Sequence, residues 1–208
     1  MRLPIKPLKQ QESQECSMTC LQMILKYYGV DITIKDINES IWKATNGSSY
    51  NTEVARFARL KGLVVDCFGY HLSIVDPKDS KLSSEKLIKK LKNQIIGHDL
   101  TPLVDSLILA IKSGVNYHIL KPNLEIIEEY LEKNIPLIAS VSYTALHNIQ
   151  GDAFDGHDIV LSGIENGKII YIDPEFATEE LINPEDLMFA IISRRAIATS
   201  AYLIAISK

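Results

Sequence analysis

Gly156-His157-Asp158-Ile159-Val160-Leu161, then Gly163-Ile164-Glu165-Asn166-Gly167, then Lys168-Ile169-Ile170-Tyr171-Ile172-Asp173-Pro174 is the stretch that decides the fold. Two β-rich runs joined by a short loop with Asn and Gly make a β-hairpin. Cross-strand neighbours in such a hairpin have residue numbers of constant sum, so His157 faces Asp173 only if the loop is centred on Glu165. A tight two-residue turn at Asn166-Gly167 shifts that register and separates the pair. With the longer loop, Asp173 accepts from one ring nitrogen of His157 and leaves the other free as a base.

Outward from the hairpin, residues 136–143 and 201–206 read as further strands, and 63–70 as an earlier one. The rest is helical in pattern. Leu21, Ile24, Leu25 and Tyr28 recur at helical spacing after Cys16, and Gly29 is the stop. Further helices are expected over 34–44, from Thr52 as N-cap to Gly62, and over 123–134. Residues 75–121, rich in Lys and Leu, read as two or three helical pieces, opened by Ser83-Ser84-Glu85 and by Thr101-Pro102. Helix-rich at its start and strand-rich at its end, the chain has an α+β layout with mostly antiparallel strands.

Composition narrows the function classes. The 208 residues are 46% hydrophobic and 23% charged, with a net charge of −4, so there is no basic excess to track a nucleic-acid backbone. The start, Met1-Arg2-Leu3-Pro4-Ile5-Lys6-Pro7, has no export signal, and no apolar run reaches the ~18 residues of a membrane span. A cytoplasmic location is expected, where thiols stay reduced. Three cysteines is an odd number and builds no complete disulfide framework.

Cys16 stands where the first helix begins, and the positive end of a helix favours a thiolate. Gln10, six residues upstream, has an amide that can donate to a developing oxyanion beside the backbone N–H of Cys16. Cys20 and Cys67 read as packed thiols. His71, His98 and His118 read as surface or satisfied core residues, and Lys86, Lys89, Lys90 and Lys92 as a solvated helix face. The His- and Asp-crowded loop 147–158 fits no zinc or EF-hand spacing and reads as a polar flank to His157. No metal and no cofactor are expected.

Gln10 followed by Glu15-Cys16-Ser17-Met18-Thr19-Cys20-Leu21-Gln22-Met23-Ile24-Leu25-Lys26-Tyr27-Tyr28-Gly29 resembles the nucleophile motif of papain-like peptidases that process bacteriocin precursors. These are best known as the N-terminal peptidase domains of peptide-exporting ABC transporters, which cut leaders after a double glycine. Gly156-His157 to Leu161 and Asp173-Pro174 resemble the family's His and Asp-Pro motifs, and Leu131-Glu132-Lys133-Asn134-Ile135-Pro136-Leu137-Ile138 its helix-to-strand segment. Thr52 to Leu63 is similar to its small helix ending in Gly-Leu. The likeness covers about 10–72 and 123–175. It implies Cys16 as nucleophile, His157 as general base and acid, Asp173 as orienter and Gln10 as oxyanion donor. It departs at Ser17, where the family usually has glycine, and at 75–121, which has no obvious counterpart.

The expected architecture is therefore one papain-like α+β domain over 1–208, its N-terminal helix packed on an antiparallel sheet, with a helical insertion at about 75–121. The insertion is a lid, a recognition element or structural filling. The expected chemistry is acyl transfer through a thioester. With a peptide or protein substrate and water as acceptor, it is that of a cysteine peptidase. An amine acceptor makes the same site an acyltransferase or amidase, and a non-catalytic peptide-binding module is the remaining alternative. No membrane-coupled step is inherited, because the chain ends soon after Asp173 without a transporter, and the oligomeric state is left open.

Overall fold

The apolar spacing after Cys16 forms helix α1 (Cys16–Tyr27), which buries Leu21, Ile24 and Leu25 completely. Gly29 closes it at φ 81, a left-handed position that glycine occupies without strain. The computed structural model describes residues 1–94, 97, 100–152, 155–195 and 201–208. Helix α2 (Ile34–Ser40) opens on a Thr33–Asp36 capping box and ends four residues earlier than the sequence pattern suggests. Just beyond it, the Trp42 amide donates to the carboxylate of Glu53, which draws the chain out of the helix. Helix α3 (Asn51–Leu60) follows Tyr50, and Thr52 is not its N-cap. The Thr52 hydroxyl is fully buried and finds Ser106 Oγ at 2.6 Å, a partner that replaces the capping role.

Strand β1 (Val64–Gly69) leads into a 3-10 turn (Pro77–Lys81), α4 (Ser84–Asn93), α5 (Thr101–Lys112) and β2 (Asn116–Ile119). The 75–121 stretch thus ends in a strand rather than in helix. Gly114, at φ 93, stops α5, and Asp66 to Gly69 offer a parallel edge that Asn116 to Ile119 take up. Lys86, Lys89 and Lys92 face solvent as expected, but Lys90 reaches the buried Asp79 at 2.7 Å. His71 is buried, His118 bonds Asp66 at 2.8 Å, and His98 lies outside the described residues. Helix α6 (Leu124–Glu132) is capped by Asn123. Strand β3 (Leu137–Ser142), α7 (Tyr143–Leu146), β4 (Gly156–Glu165), β5 (Lys168–Asp173), β6 (Thr178–Ile182), α8 (Pro184–Arg195) and β7 (Leu203–Ser207) complete the order. Sequence patterning missed β6 and α8; β6 alternates little, with four of its five residues at least partly exposed.

Among the described residues seven strands form one sheet in the order β2-β1-β7-β3-β4-β5-β6, antiparallel except for β1 with β2. Side chains alternate across it. Ile138, Val160 and Ile172 pack against α1, α2 and α3, whereas Leu137, Ala139, Ile159, Leu161 and Tyr171 pack against α6 and α8. This alternation sends His157 and Asp158 to opposite faces of β4. The described helices include none long and apolar enough to cross a membrane.

The N-terminal segment lies along β4, with Leu3 N–H donating to Ser162 O at 2.8 Å and Ile164 N–H to Met1 O at 2.8 Å. Gly163 permits that approach, since a Cβ there would meet the Met1 and Arg2 backbone. Gly163→Ala is expected to lower unfolding free energy by about 1–3 kcal/mol in a denaturant titration. An unchanged midpoint contradicts this.

Candidate active site

The local fold explains how Gln10 comes near Cys16. The Glu15 carboxylate accepts from the backbone N–H groups of Gln11 and Glu12, both at 3.1 Å, and folds the preceding loop back over the start of α1. Gln10 N–H donates to Pro174 O at 2.8 Å, which ties the same loop to the end of β5. Cys16 is the first residue of α1, and it shares a cavity of about 320 Å³ with Gln10, Ser17 and His157. The buried Gln10 Oε1 makes no hydrogen bond.

The hairpin joins His157 to Asp173 without the longer loop that direct cross-strand pairing requires. The turn is the tight one: Asn166 and Gly167 have φ 49 and 74, and Glu165 pairs with Lys168. A bulge at Ser162, between the Leu161–Tyr171 and Gly163–Ile170 pairs, then takes back one residue of register. Val160 therefore faces Ile172, and continuing that register puts Ile159 opposite Asp173. His157 lies two residues further on the same face, and a diagonal neighbour at that offset is within reach of a long side chain. The contact forms: His157 Nε2 lies 2.9 Å from Asp173 Oδ1.

Asp173 is fully buried, and its Oδ1 also accepts from the Glu175 backbone N–H at 2.8 Å. Burial works against its charge, but the bond and the charge of His157 outweigh it and hold the carboxyl below its ordinary range. Burial likewise opposes a charge on His157, which is 5% exposed. Its hydrogen bonds to Asp173 and to Cys16 prevail and push the imidazole up to about 10. Tyr143 packs edge-on against the His157 ring, with centroids 5.5 Å apart. A second histidine, His147, brings Nε2 to 3.2 Å from Asp173 Oδ2 without hydrogen-bond alignment, between the rings of Tyr143 and Phe176.

All four residues singled out in the sequence, Cys16, His157, Asp173 and Gln10, thus meet at one end of the sheet. Cys20 and Cys67 are buried, and burial pushes both thiols up. Four further residues were not given roles. Asp158 is 7% exposed and faces α1, with Oδ2 3.8 Å from Cys16 Sγ and Oδ1 accepting from Asn51 Nδ2 at 3.3 Å. Ser140 bonds its carboxylate, and the Arg194 guanidinium carries a compensating charge nearby. That guanidinium occupies the space a Cβ on Gly156 would need. One signal for Asp158 was present: an acidic residue directly before the Ile159-Val160-Leu161 strand run. Asn51, Ser140 and Arg194 come from α3, β3 and α8, and nothing local marks them.

His157, Asp173 and Glu175 bring polar atoms within 4.8 Å of one another, and the His157–Asp173 hydrogen bond already engages two of these three residues with each other.

The sequence profile of the Peptidase_C39-like family matches residues 2–189. Among curated proteins, none matches the sequence. Eleven chains of solved structures match, among them three with a TM-score of 0.52 each. One is a double-glycine-motif protease from an AMS/PCAT transporter in complex with its leader peptide, 16% identical, covering 99% of this chain and 93% of its own. Another is the peptidase domain of Streptococcus ComA, a bifunctional ABC transporter involved in quorum sensing, 14% identical over 98% of both chains. The third is a Bacillus anthracis protein described as C39-like, 12% identical over 99% of this chain and 95% of its own. Such identities speak for the α+β fold alone, whereas the profile spans nine-tenths of the sequence. The chain belongs to the Peptidase_C39-like family and is a hydrolase of the cysteine-peptidase type.

Proposed function

We propose that this protein cleaves a peptide or isopeptide bond through a thioester on Cys16, using His157 and Asp173 as its proton-transfer pair. The single observation that carries the reading is the 2.9 Å bond from buried Asp173 to His157, which lines the cavity that Cys16 enters from a helix N-terminus. With Nε2 engaged by Asp173, Nδ1 is the nitrogen available to the thiol. The thiol proton passes to neutral His157, whose upward shift comes in part from Cys16 itself and so describes the imidazolium of that pair, and the thiolate attacks the substrate carbonyl. Gln10 and the Cys16 backbone N–H steady the oxyanion, with Ser17, the second residue of α1, standing where the family usually has glycine. His157 then protonates the leaving amine and, in the second half-reaction, activates water.

A peptide substrate is supported by the solved relative that holds a leader peptide. Three free thiols fit a reducing, cytoplasmic setting. We also treat 1–208 as one domain in which 75–121 is an insertion. The same geometry serves an amine acceptor, and product analysis with and without added amines separates hydrolysis from transfer.

Thiol labelling tests the reading. Limiting iodoacetamide is expected to modify native protein at Cys16 alone, at least ~100-fold faster than at buried Cys67. Labelling of Cys16 no faster than of Cys67 contradicts the proposal.

A further inference from the structure

The thiol of Cys16 has two acceptors, and only one of them belongs to the mechanism above. Its Sγ lies 3.8 Å from Asp158 Oδ2, close enough for the S–H to donate to the carboxylate. Asp158 Oδ1 is already taken by Asn51, so Oδ2 is the oxygen turned to the sulfur. The groups facing Asp158 come from four other segments. Cys16 and Cys20 are on α1, Asn51 on α3, Ser140 on β3 and Arg194 on α8, with His157 beside it on β4 and Asp173 beyond. Cys20 donates to the Asp158 backbone oxygen at 3.2 Å and, as a buried thiol, stays neutral.

A carboxylate and a thiolate at that separation repel, the more so because Asp158 is buried. The thiolate that attack requires and an ionised Asp158 therefore disfavour each other. We propose that Asp158 gates the nucleophile: as a carboxylate it holds Cys16 in the thiol form, and as a neutral carboxyl it donates to the sulfur and lets the thiol proton pass to His157. The protons balance. Solvent supplies the one that Asp158 takes up, and the Cys16 proton moves to the imidazole, with no other bond made or broken.

Burial pushes the Asp158 carboxyl up from its ordinary range, while His157, Arg194, Ser140 and Asn51 pull it down. The net upward direction brings its protonation closer to working pH. The inference rests on the reading of Cys16 as nucleophile, and the experiment separates the two.

The rate of iodoacetamide labelling at Cys16 is measured across pH 5–9 in wild type and Asp158→Asn, with Cys67 as internal reference. The amide keeps the shape and removes the charge, so Asp158→Asn is expected to label at least about threefold faster at pH 7. The excess shrinks toward acid, where wild-type Asp158 is itself neutral. A variant merely damaged in structure slows at Cys16 or exposes Cys67 and shows no such acceleration. Ser140→Ala, which removes a bond that favours the carboxylate, provides a second reading and shifts the wild-type profile toward higher pH. Asp158→Asn labelling at or below the wild-type rate, or a ratio constant with pH, overturns the gate. Wild-type Cys16 labelling no faster than Cys67 instead overturns the nucleophile.

Discussion

Cys16→Ala is expected to abolish peptide cleavage, a loss on the order of 10⁶-fold in kcat, with the folded structure retained. The size follows from covalent catalysis, because without the sulfur no thioester forms and both half-reactions disappear together. The mildness of the structural effect follows from position. Cys16 is half-buried at the first residue of α1, and the first α1 residue to join the core cluster is Met18. A change in unfolding free energy within about 0.5 kcal/mol is expected in a denaturant titration. Residual cleavage within about tenfold of wild type removes Cys16 from the mechanism.

Asp173→Asn is expected to cost about 10⁴-fold in kcat while leaving the His157–residue 173 contact in place. An amide at this site turns an N–H toward His157 Nε2, which must then accept. The ring proton moves to Nδ1, and the nitrogen facing Cys16 can no longer take the thiol proton. The substitution also changes how stability varies with pH. His157 is pushed up to about 10 in the folded protein, against about 6.5 for a free imidazole. The stability it contributes is fully present below about pH 6.5 and is lost as pH rises toward 10. Asp173 is held below its ordinary range, so its contribution is present above about pH 4 and fades as acid protonates the folded carboxyl. Asp173→Asn removes the partner of both terms, and its melting temperature is expected to fall less between pH 6.5 and 10 than that of wild type. Parallel curves contradict this assignment of the His157 shift.

How much of this was legible in the sequence depended on how local each signal is. Helix α1 and the start of α6 were readable because spacing and capping act within one turn. Strands β3, β4, β5 and β7 were readable because short β-rich runs sit between Gly, Asn and Asp. The hairpin register was not. A constant sum holds only for a regular ladder, whereas this one has a bulge at Ser162, next to the Gly163 that the N-terminal segment bridges, and His157 reaches Asp173 on the diagonal. Strand β2 escaped notice because its reason to exist is the edge offered by β1.

The site divides the same way. Cys16, His157, Asp173 and Gln10 carry motif signals, in part through a family likeness, and the structure gathers them. Asn51, Ser140, Arg194 and His147 act on Asp158 or Asp173 from other elements, and only tertiary packing creates those contacts. Thr52 shows the converse. It has the identity of a helix cap but spends its hydroxyl on Ser106, because a buried partner from α5 competes with the backbone.

The most direct test of the central claim is mass spectrometry of the acyl-enzyme. The protein is incubated with a peptide library that includes segments cut after Gly-Gly, quenched in acid during turnover and digested. An added mass equal to the N-terminal portion of a cleaved peptide is expected on the fragment containing Cys16, and is absent from Cys16→Ala. Cleavage that proceeds with no adduct on Cys16, or with the adduct on another residue, contradicts it.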